Sequence, residues 1–341
     1  MKKIILFNFC VFIFLLIFIE VIFGYWFKEN NFGIHMRKHR NLSENYEIKL
    51  KNQKYKFTYK RNFYGFRGEE IDDLSDIKYV FLGGSTGNER LLPEELTIVG
   101  KINSKFETDN LKKIHIYNAS TDGKSLRGHK NDFEFWFTKL KNFQPNYFLI
   151  YTGINDTYLG DEIKYDLTFG NKSYRKILDY ISNNSISIEL IKKIKLKYFN
   201  SGRQEYDISN LNNIYNDNYE YINYIKAKKI YNINNLKNKY SYLYERYKKR
   251  LQEIYIKSKK FNSEIIFITQ IKFDGLKDDK LFLLNEITKE FSKERKIKII
   301  KVDEKFTGEI NDFYDQNHPT EMGSEKISEI IYTELLNIFY D

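Results

Sequence analysis

Five short apolar runs punctuate this chain, and stretches of helical spacing separate them. Lys78–Leu82, Ile114–Tyr117, Tyr147–Tyr151, Ile265–Thr269 and Ile297–Val302 each read as a short buried strand. After the first, Glu94 to Phe106 places Leu96, Val99, Ile102 and Phe106 on one helical side. Leu126 to Leu140, about Asn235 to Lys260, Lys280 to Arg295 and Thr320 to Phe339 read as further helices. Strands that alternate with helices of this length imply an α/β fold, with a parallel central sheet and helices on both faces. The interval from about Gly160 to Asn234 breaks the rhythm. It is rich in Asn, Lys and Tyr and reads as a partly helical insertion. Folds of this kind place their chemistry beyond the carboxyl ends of the strands, so an insertion after the third strand would overhang the site.

The 341 residues, 42% hydrophobic and 17% aromatic, supply enough apolar surface for a large core and exclude a disordered chain. A single cysteine excludes an intramolecular disulfide framework and a cysteine-based zinc site. Lys and Arg number 56 against 46 Asp and Glu, but the basic residues are scattered among acidic ones. That pattern does not imply a nucleic-acid partner.

Before the first strand lies a different kind of segment. Met1-Lys2-Lys3 precedes an apolar run from Ile4 to Ile19 broken only by Asn8, and after Glu20 the apolar character resumes from Val21 to Phe27. About 24 helical residues would span about 36 Å, enough to cross a bilayer. Tyr25 and Trp26 fall where an interfacial aromatic belt belongs. A cleaved signal peptide is the alternative, but no small-residue cleavage site follows the run. Residues 1–27 therefore read as a retained membrane anchor, 28–61 as a stem or linker, and 62–341 as one domain with an insertion at about 160–234. Lys28, Arg37, Lys38 and Arg40 follow the run, so charge counting leaves orientation open. The short basic start favours a domain outside the cytoplasm, periplasmic or extracellular.

Three strand ends carry chemically distinctive residues. In Phe81-Leu-Gly-Gly-Ser-Thr-Gly87, two glycines let the chain turn sharply and display Ser85 at the start of a helix. The plainer reading is a helix cap. In Gly153-Ile-Asn-Asp156, the Asn155 amide could face a developing oxyanion, or the segment could be an ordinary Asn-Asp turn. In Asp315-Gln-Asn-His318-Pro-Thr320, the carboxylate can reach back to one ring nitrogen and leave the other as a base; a capped turn is again the alternative. His35 and His39 lie near the anchor, and His115 and His129 have no acidic partner at comparable spacing.

Taken together and in this order, these blocks resemble the SGNH (GDSL-type) hydrolase family from about Asn62 to the C-terminus. Gly83-Gly84-Ser85-Thr86 matches the family's first block, with the nucleophile at Ser85. Asn118-Ala-Ser-Thr-Asp-Gly123 resembles the second, whose glycine, here Gly123, gives a backbone N–H to the oxyanion hole. Gly153-Ile-Asn155-Asp156 resembles the third, with Asn155 completing that hole, and Asp315 and His318 match the last. Asn62-Phe-Tyr-Gly-Phe-Arg-Gly68 is similar to the corresponding segment of membrane-anchored members from bacterial surface-glycan systems. Gly84 replaces the acidic residue of the usual Gly-Asp-Ser, and Ser120 stands where many members have glycine.

The resemblance implies a flavodoxin-like three-layer α/β/α fold and acyl-ester chemistry through Ser85, His318 and Asp315. Ser85, Gly123 and Asn155 would form the oxyanion hole, and no metal or organic cofactor is required. Three functions are carried forward. One is a membrane-anchored esterase removing acyl groups, above all O-acetyl, from a carbohydrate or cell-envelope glycan. The second is an O-acyltransferase using the same residues, with a membrane acyl-donor partner. The third is a non-catalytic surface binding module, against which the intact Ser, Gly, Asn, Asp and His argue.

Overall fold

In the computed structural model, the described residues are 2–27, 36, 39–50, 53–111, 114–159, 204–207 and 219–340, with scattered positions between 177 and 194. The five apolar runs form one sheet. Its strands are β3 (Tyr79–Gly83), β4 (Ile116–Asn118), β5 (Tyr147–Tyr151), β7 (Glu264–Ile268) and β8 (Lys298–Ile300), in the order β4-β3-β5-β7-β8. Every neighbouring pair is parallel, with Phe81 opposite both Asn118 and Leu149, and Phe267 opposite Ile150 and Ile299. Such strands are covered on both faces, which is why Val80–Leu82, Phe148–Ile150 and Ile265–Ile268 read as unbroken apolar runs. The helices Ile98–Thr108 and Glu321–Tyr340 pack together as one layer. Leu126–Asn131, Ser241–Lys259 and Asp279–Arg295 pack together as another. The fold is the flavodoxin-like α/β arrangement, and its strand order reverses between β3 and β5. A crevice forms at such a switch point.

Two helices differ from their sequence reading. The second ends its regular part at Asn131, widens into a π turn over Asp132–Trp136 and tightens again over Phe137–Lys139. This geometry brings Phe133, Trp136 and Phe137 into one aromatic cluster with Phe66, Phe143 and Phe148. The long helix expected over 235–260 is two, Ile233–Lys239 and Ser241–Lys259, broken at Tyr240, whose hydroxyl donates to Asp279.

Residues 42–61, read from sequence as part of a stem, form an antiparallel hairpin of β1 (Leu42–Leu50) and β2 (Gln53–Arg61). Tyr46, Ile48 and Tyr59 point inward and are buried, while Lys54, Lys56, Thr58 and Lys60 point outward. From within the insertion, β6 (Gln204–Asp207) pairs in parallel with β1. Most of the remaining insertion lies outside the described residues, as does His35. At the other end of the chain, Lys2–Phe23 is one continuous helix, apolar and long enough to cross a membrane, with none of its hydrophobic window buried against the domain.

Candidate active site

The switch point gathers the sequence blocks. β3 ends at Gly83, and Ser85 opens a single helical turn, Ser85–Asn88. β5 ends at Tyr151, and Gly153 (φ +142°) begins the turn Ile154–Thr157 that carries Asn155. A side chain at that φ would be strained, so glycine sets the direction in which Asn155 leaves the strand. The Asn155 amide donates to the Lys124 carbonyl at 2.8 Å, next to Gly123. A methyl group on Gly84 would overlap the Asn155 amide nitrogen and lie 3.0 Å from the Lys124 carbonyl oxygen. The glycine that replaces an acidic residue therefore has a positive role here: it admits the Asn155 side chain against the Ser85 turn.

The loop before the last helix carries Asp315 and His318. Asp315 Oδ1 accepts the backbone N–H groups of Asn317 and His318, each at 2.8 Å. Its Oδ2 lies 2.7 Å from His318 Nδ1, and His318 Nε2 lies 2.7 Å from Ser85 Oγ. Burial would raise the Asp315 carboxyl, but the hydrogen bond and charge of His318, with the two backbone donors, hold it below the ordinary carboxylate value. Tyr314 stacks on the imidazole, with ring centroids 5.5 Å apart. Ser85, His318 and Asp315 thus meet in one line, with Asn155 and the Gly123–Lys124 loop beside them.

Several supporting residues have no signal in the sequence. Gln270, just past β7, donates to Thr86 Oγ1 at 2.9 Å and accepts the Ile154 N–H at 2.6 Å, tying the Ser85 turn to the Asn155 turn. Asn285 holds the Gln270 backbone from the neighbouring helix. Asp156 is fully buried, accepts the Leu126 N–H at 3.0 Å and pairs with Arg250 at 3.2 Å. It joins the third block to the second. Two buried arginines brace the other side. Arg61 donates to Ser120 O and Asn88 Oδ1, and Arg67 to the carbonyls of Asn88, Glu89 and Leu92. Both belong to the conspicuous segment around Asn62–Gly68, which is therefore scaffolding for the Ser85 turn.

One reading needs correction. His129 does have an acidic partner: its Nδ1 lies 3.2 Å from Asp132, one helical turn later, and Asp132 is also bonded by Lys124 at 2.5 Å. The cluster is buried behind the Gly123 loop and does not touch Ser85, so it serves that loop's position. Glu89 is likewise buried, its carboxylate bonded by the Ile98 N–H and the Ser324 hydroxyl. Burial outweighs these bonds and pushes its pKa up to about 8.

A serine, a histidine and a carboxylate thus lie within hydrogen-bond reach of one another at the carboxyl end of the parallel sheet. The sequence matches the GDSL-like lipase/acylhydrolase family over residues 75–331, and the chain belongs to that family. It is an ester-hydrolysing enzyme. Similar solved structures include a catalytic mutant of an acetylxylan esterase from Geobacillus stearothermophilus, at 12% identity over 76% of this chain and 93% of that one, with a TM-score of 0.43. A lipolytic protein of the G-D-S-L family from Veillonella parvula is 13% identical over 77% and 98% of the two chains, with a TM-score of 0.42. An alpha/beta hydrolase from the metagenome of Lake Arreo, Spain, is 11% identical over 76% and 94%, with a TM-score of 0.42. Comparison with curated proteins finds no match.

Proposed function

We propose that this protein is a membrane-anchored serine esterase that removes acyl groups, above all O-acetyl, from a carbohydrate or cell-envelope glycan. The observation that carries the mechanism is the pair of 2.7 Å contacts at His318, to Ser85 Oγ on one side and Asp315 Oδ2 on the other. Ser85 Oγ attacks the ester carbonyl while His318 Nε2 takes its proton, and Asp315 holds the imidazole in register and stabilises its charge. Negative charge develops on the former carbonyl oxygen. The N–H groups of Ser85 and Gly123 and the second N–H of the Asn155 amide receive it. The protonated His318 then returns its proton to the departing alcohol, leaving an acyl group on Ser85. A water molecule, deprotonated by the same imidazole, releases the carboxylic acid and restores Ser85. Where a sugar hydroxyl takes the place of water, the same steps transfer the acyl group.

The anchor reading is supported by the exposed apolar helix Lys2–Phe23, and the glycan reading only by the resemblance of Asn62–Gly68 to the corresponding segment of members from bacterial surface-glycan systems. Incubating the full-length protein in lipid nanodiscs with p-nitrophenyl acetate and a panel of acetylated glycans, with and without an acceptor sugar, tests the whole. Acetate release that requires Ser85 is expected. Product appearing only with an acceptor would reassign the chain to acyl transfer, and no turnover of any glycan would remove the substrate class.

A further inference from the structure

Glu20, near the far end of the apolar helix, does not face solvent. Its Oε1 accepts the Ser185 hydroxyl at 2.6 Å and the Ser187 N–H at 2.9 Å. Its Oε2 accepts the Ile186 N–H at 3.2 Å and the Trp26 indole N–H at 2.9 Å. A carboxylate on the first N–H groups of a helical segment is a favourable arrangement, since those donors have no partner within the helix. Two further contacts fasten the same junction: the Tyr25 N–H donates to Asn184 O at 2.8 Å, and Trp26 packs edge-on against Tyr180. Part of the insertion is thus held where the apolar helix ends, at the level an interfacial Tyr-Trp pair would occupy.

Among the described residues of this part, six large hydrophobic side chains are exposed. Ile177, Tyr180 and Ile181 are 61%, 59% and 40% exposed, and Leu190, Ile191 and Ile194 are 47%, 64% and 52% exposed. Their spacing, i to i+3 or i+4, puts each set on one side of a helical turn. In sequence, Lys192, Lys193, Lys195 and Lys197 fall among the second set. Exposed aliphatic residues flanked by lysines are the pattern of a helix lying in a membrane interface, apolar side among the acyl chains and cations at anionic headgroups.

We infer that the exposed apolar side chains of Ile177, Tyr180, Ile181, Leu190, Ile191 and Ile194 form a second membrane contact on the anionic bilayer surface beside the anchor's exit. This rests on the reading of Lys2–Phe23 as a membrane anchor. Such a contact fixes the domain's height and tilt over the bilayer through a second attachment point. The occupant is the lipid surface, because the exposed residues continue from the end of a helix already suited to the bilayer and the adjoining charges complement phosphate.

The single native cysteine lies exposed on the apolar helix and is replaced first, by Cys10→Ser. An environment-sensitive dye is then placed singly at Ile191→Cys or Phe14→Cys in the full-length chain. Each protein is reconstituted in vesicles of phosphatidylethanolamine and phosphatidylglycerol with or without brominated acyl chains. The expected result is blue-shifted emission at both positions, with bromolipid quenching at position 191 at least half of that at position 14. Changing Lys192, Lys193, Lys195 and Lys197 to Glu should reduce the quenching at 191 at least twofold and leave position 14 unchanged. Water-like, unquenched emission at 191 with a quenched label at 14 overturns the inference, including the case in which a protein partner covers this face. Unquenched emission at both overturns the anchor reading itself.

Discussion

Tyr314 lies flat on the imidazole of His318, the two ring planes only 8° from parallel. Tyr314 is itself packed into a small core with Tyr46, Ile48 and Tyr59 of the β1–β2 hairpin. The hairpin therefore sets one wall against which the His318 ring rests. Removing the ring by Tyr314→Ala should lower kcat/KM roughly 2–10-fold, the worth of one aromatic stack of about 0.5–1.5 kcal/mol. It should also lower stability by about 3–5 kcal/mol through the void it leaves. Tyr314→Phe keeps the stack and should restore both. Kinetics on a soluble ester, alongside denaturant melts, check this; full activity in the Ala variant would show that the stack does not position His318.

Ser85→Ala removes only the side-chain oxygen, the nucleophile of the proposed mechanism, so ester cleavage should fall to background with the circular dichroism unchanged. A fluorophosphonate probe should label the wild type at Ser85 and leave the variant unlabelled. Activity within a few-fold of wild type would place the nucleophile elsewhere.

Asn155→Ala should lower kcat by roughly 10²–10³ with a smaller change in KM, as for loss of one oxyanion donor. Gly84→Ala provides an independent route to the same defect, because its methyl group would displace the Asn155 amide. The two changes combined should cost scarcely more than either alone, since they remove one interaction. Additive losses in the double variant would show that Gly84 acts through something other than Asn155.

Glu89 offers a test on stability. Its folded-state pKa is raised from 4.5 to about 8, so the folded chain holds a proton that the unfolded chain releases. Stability from this group is complete below about pH 4.5 and declines as pH rises towards about 8, by at most about 1.4 kcal/mol per pH unit. Glu89→Gln keeps an acceptor and lacks the charge. The variant should match wild type near pH 5 and exceed it near pH 8 in urea melts. Parallel pH profiles for the two proteins would mean that Glu89 is ionised in the fold.

Membrane orientation is open to a fusion assay. Alkaline phosphatase at the C-terminus should be active, as expected for a domain outside the cytoplasm with only Met1 to Lys3 inside. An inactive phosphatase fusion, together with a fluorescent green-fluorescent-protein fusion, would put the site in the cytoplasm and make an envelope glycan unsuitable as substrate.

The β1–β2 hairpin shows where reading the sequence stopped. Its alternation is present, with Tyr55, Phe57 and Tyr59 between Lys54, Lys56, Thr58 and Lys60. Every second residue of such a pattern is polar, so the hairpin lacks the continuous apolar signal of a doubly covered strand. Its destination, the ring of Tyr314, lies near the other end of the chain. The break at Tyr240 and the π turn at Asp132 were similarly hidden, because helical spacing survives a single irregular turn.

What the sequence alone determined was the set of local properties. Strands buried on both faces must be apolar throughout, so β3, β5 and β7 announced a parallel sheet. Chemically capable residues at their carboxyl ends, in a family's order, announced a candidate site. What only the tertiary structure decided was which distant groups meet. His318 reaches Ser85 across 233 residues, and Gln270 reaches Thr86 across 184. The bracing by Arg61, Arg67 and Arg250 was equally invisible. A hydrogen bond of a few ångströms depends on strand order, helix packing and loop direction together, and no stretch of sequence contains all three.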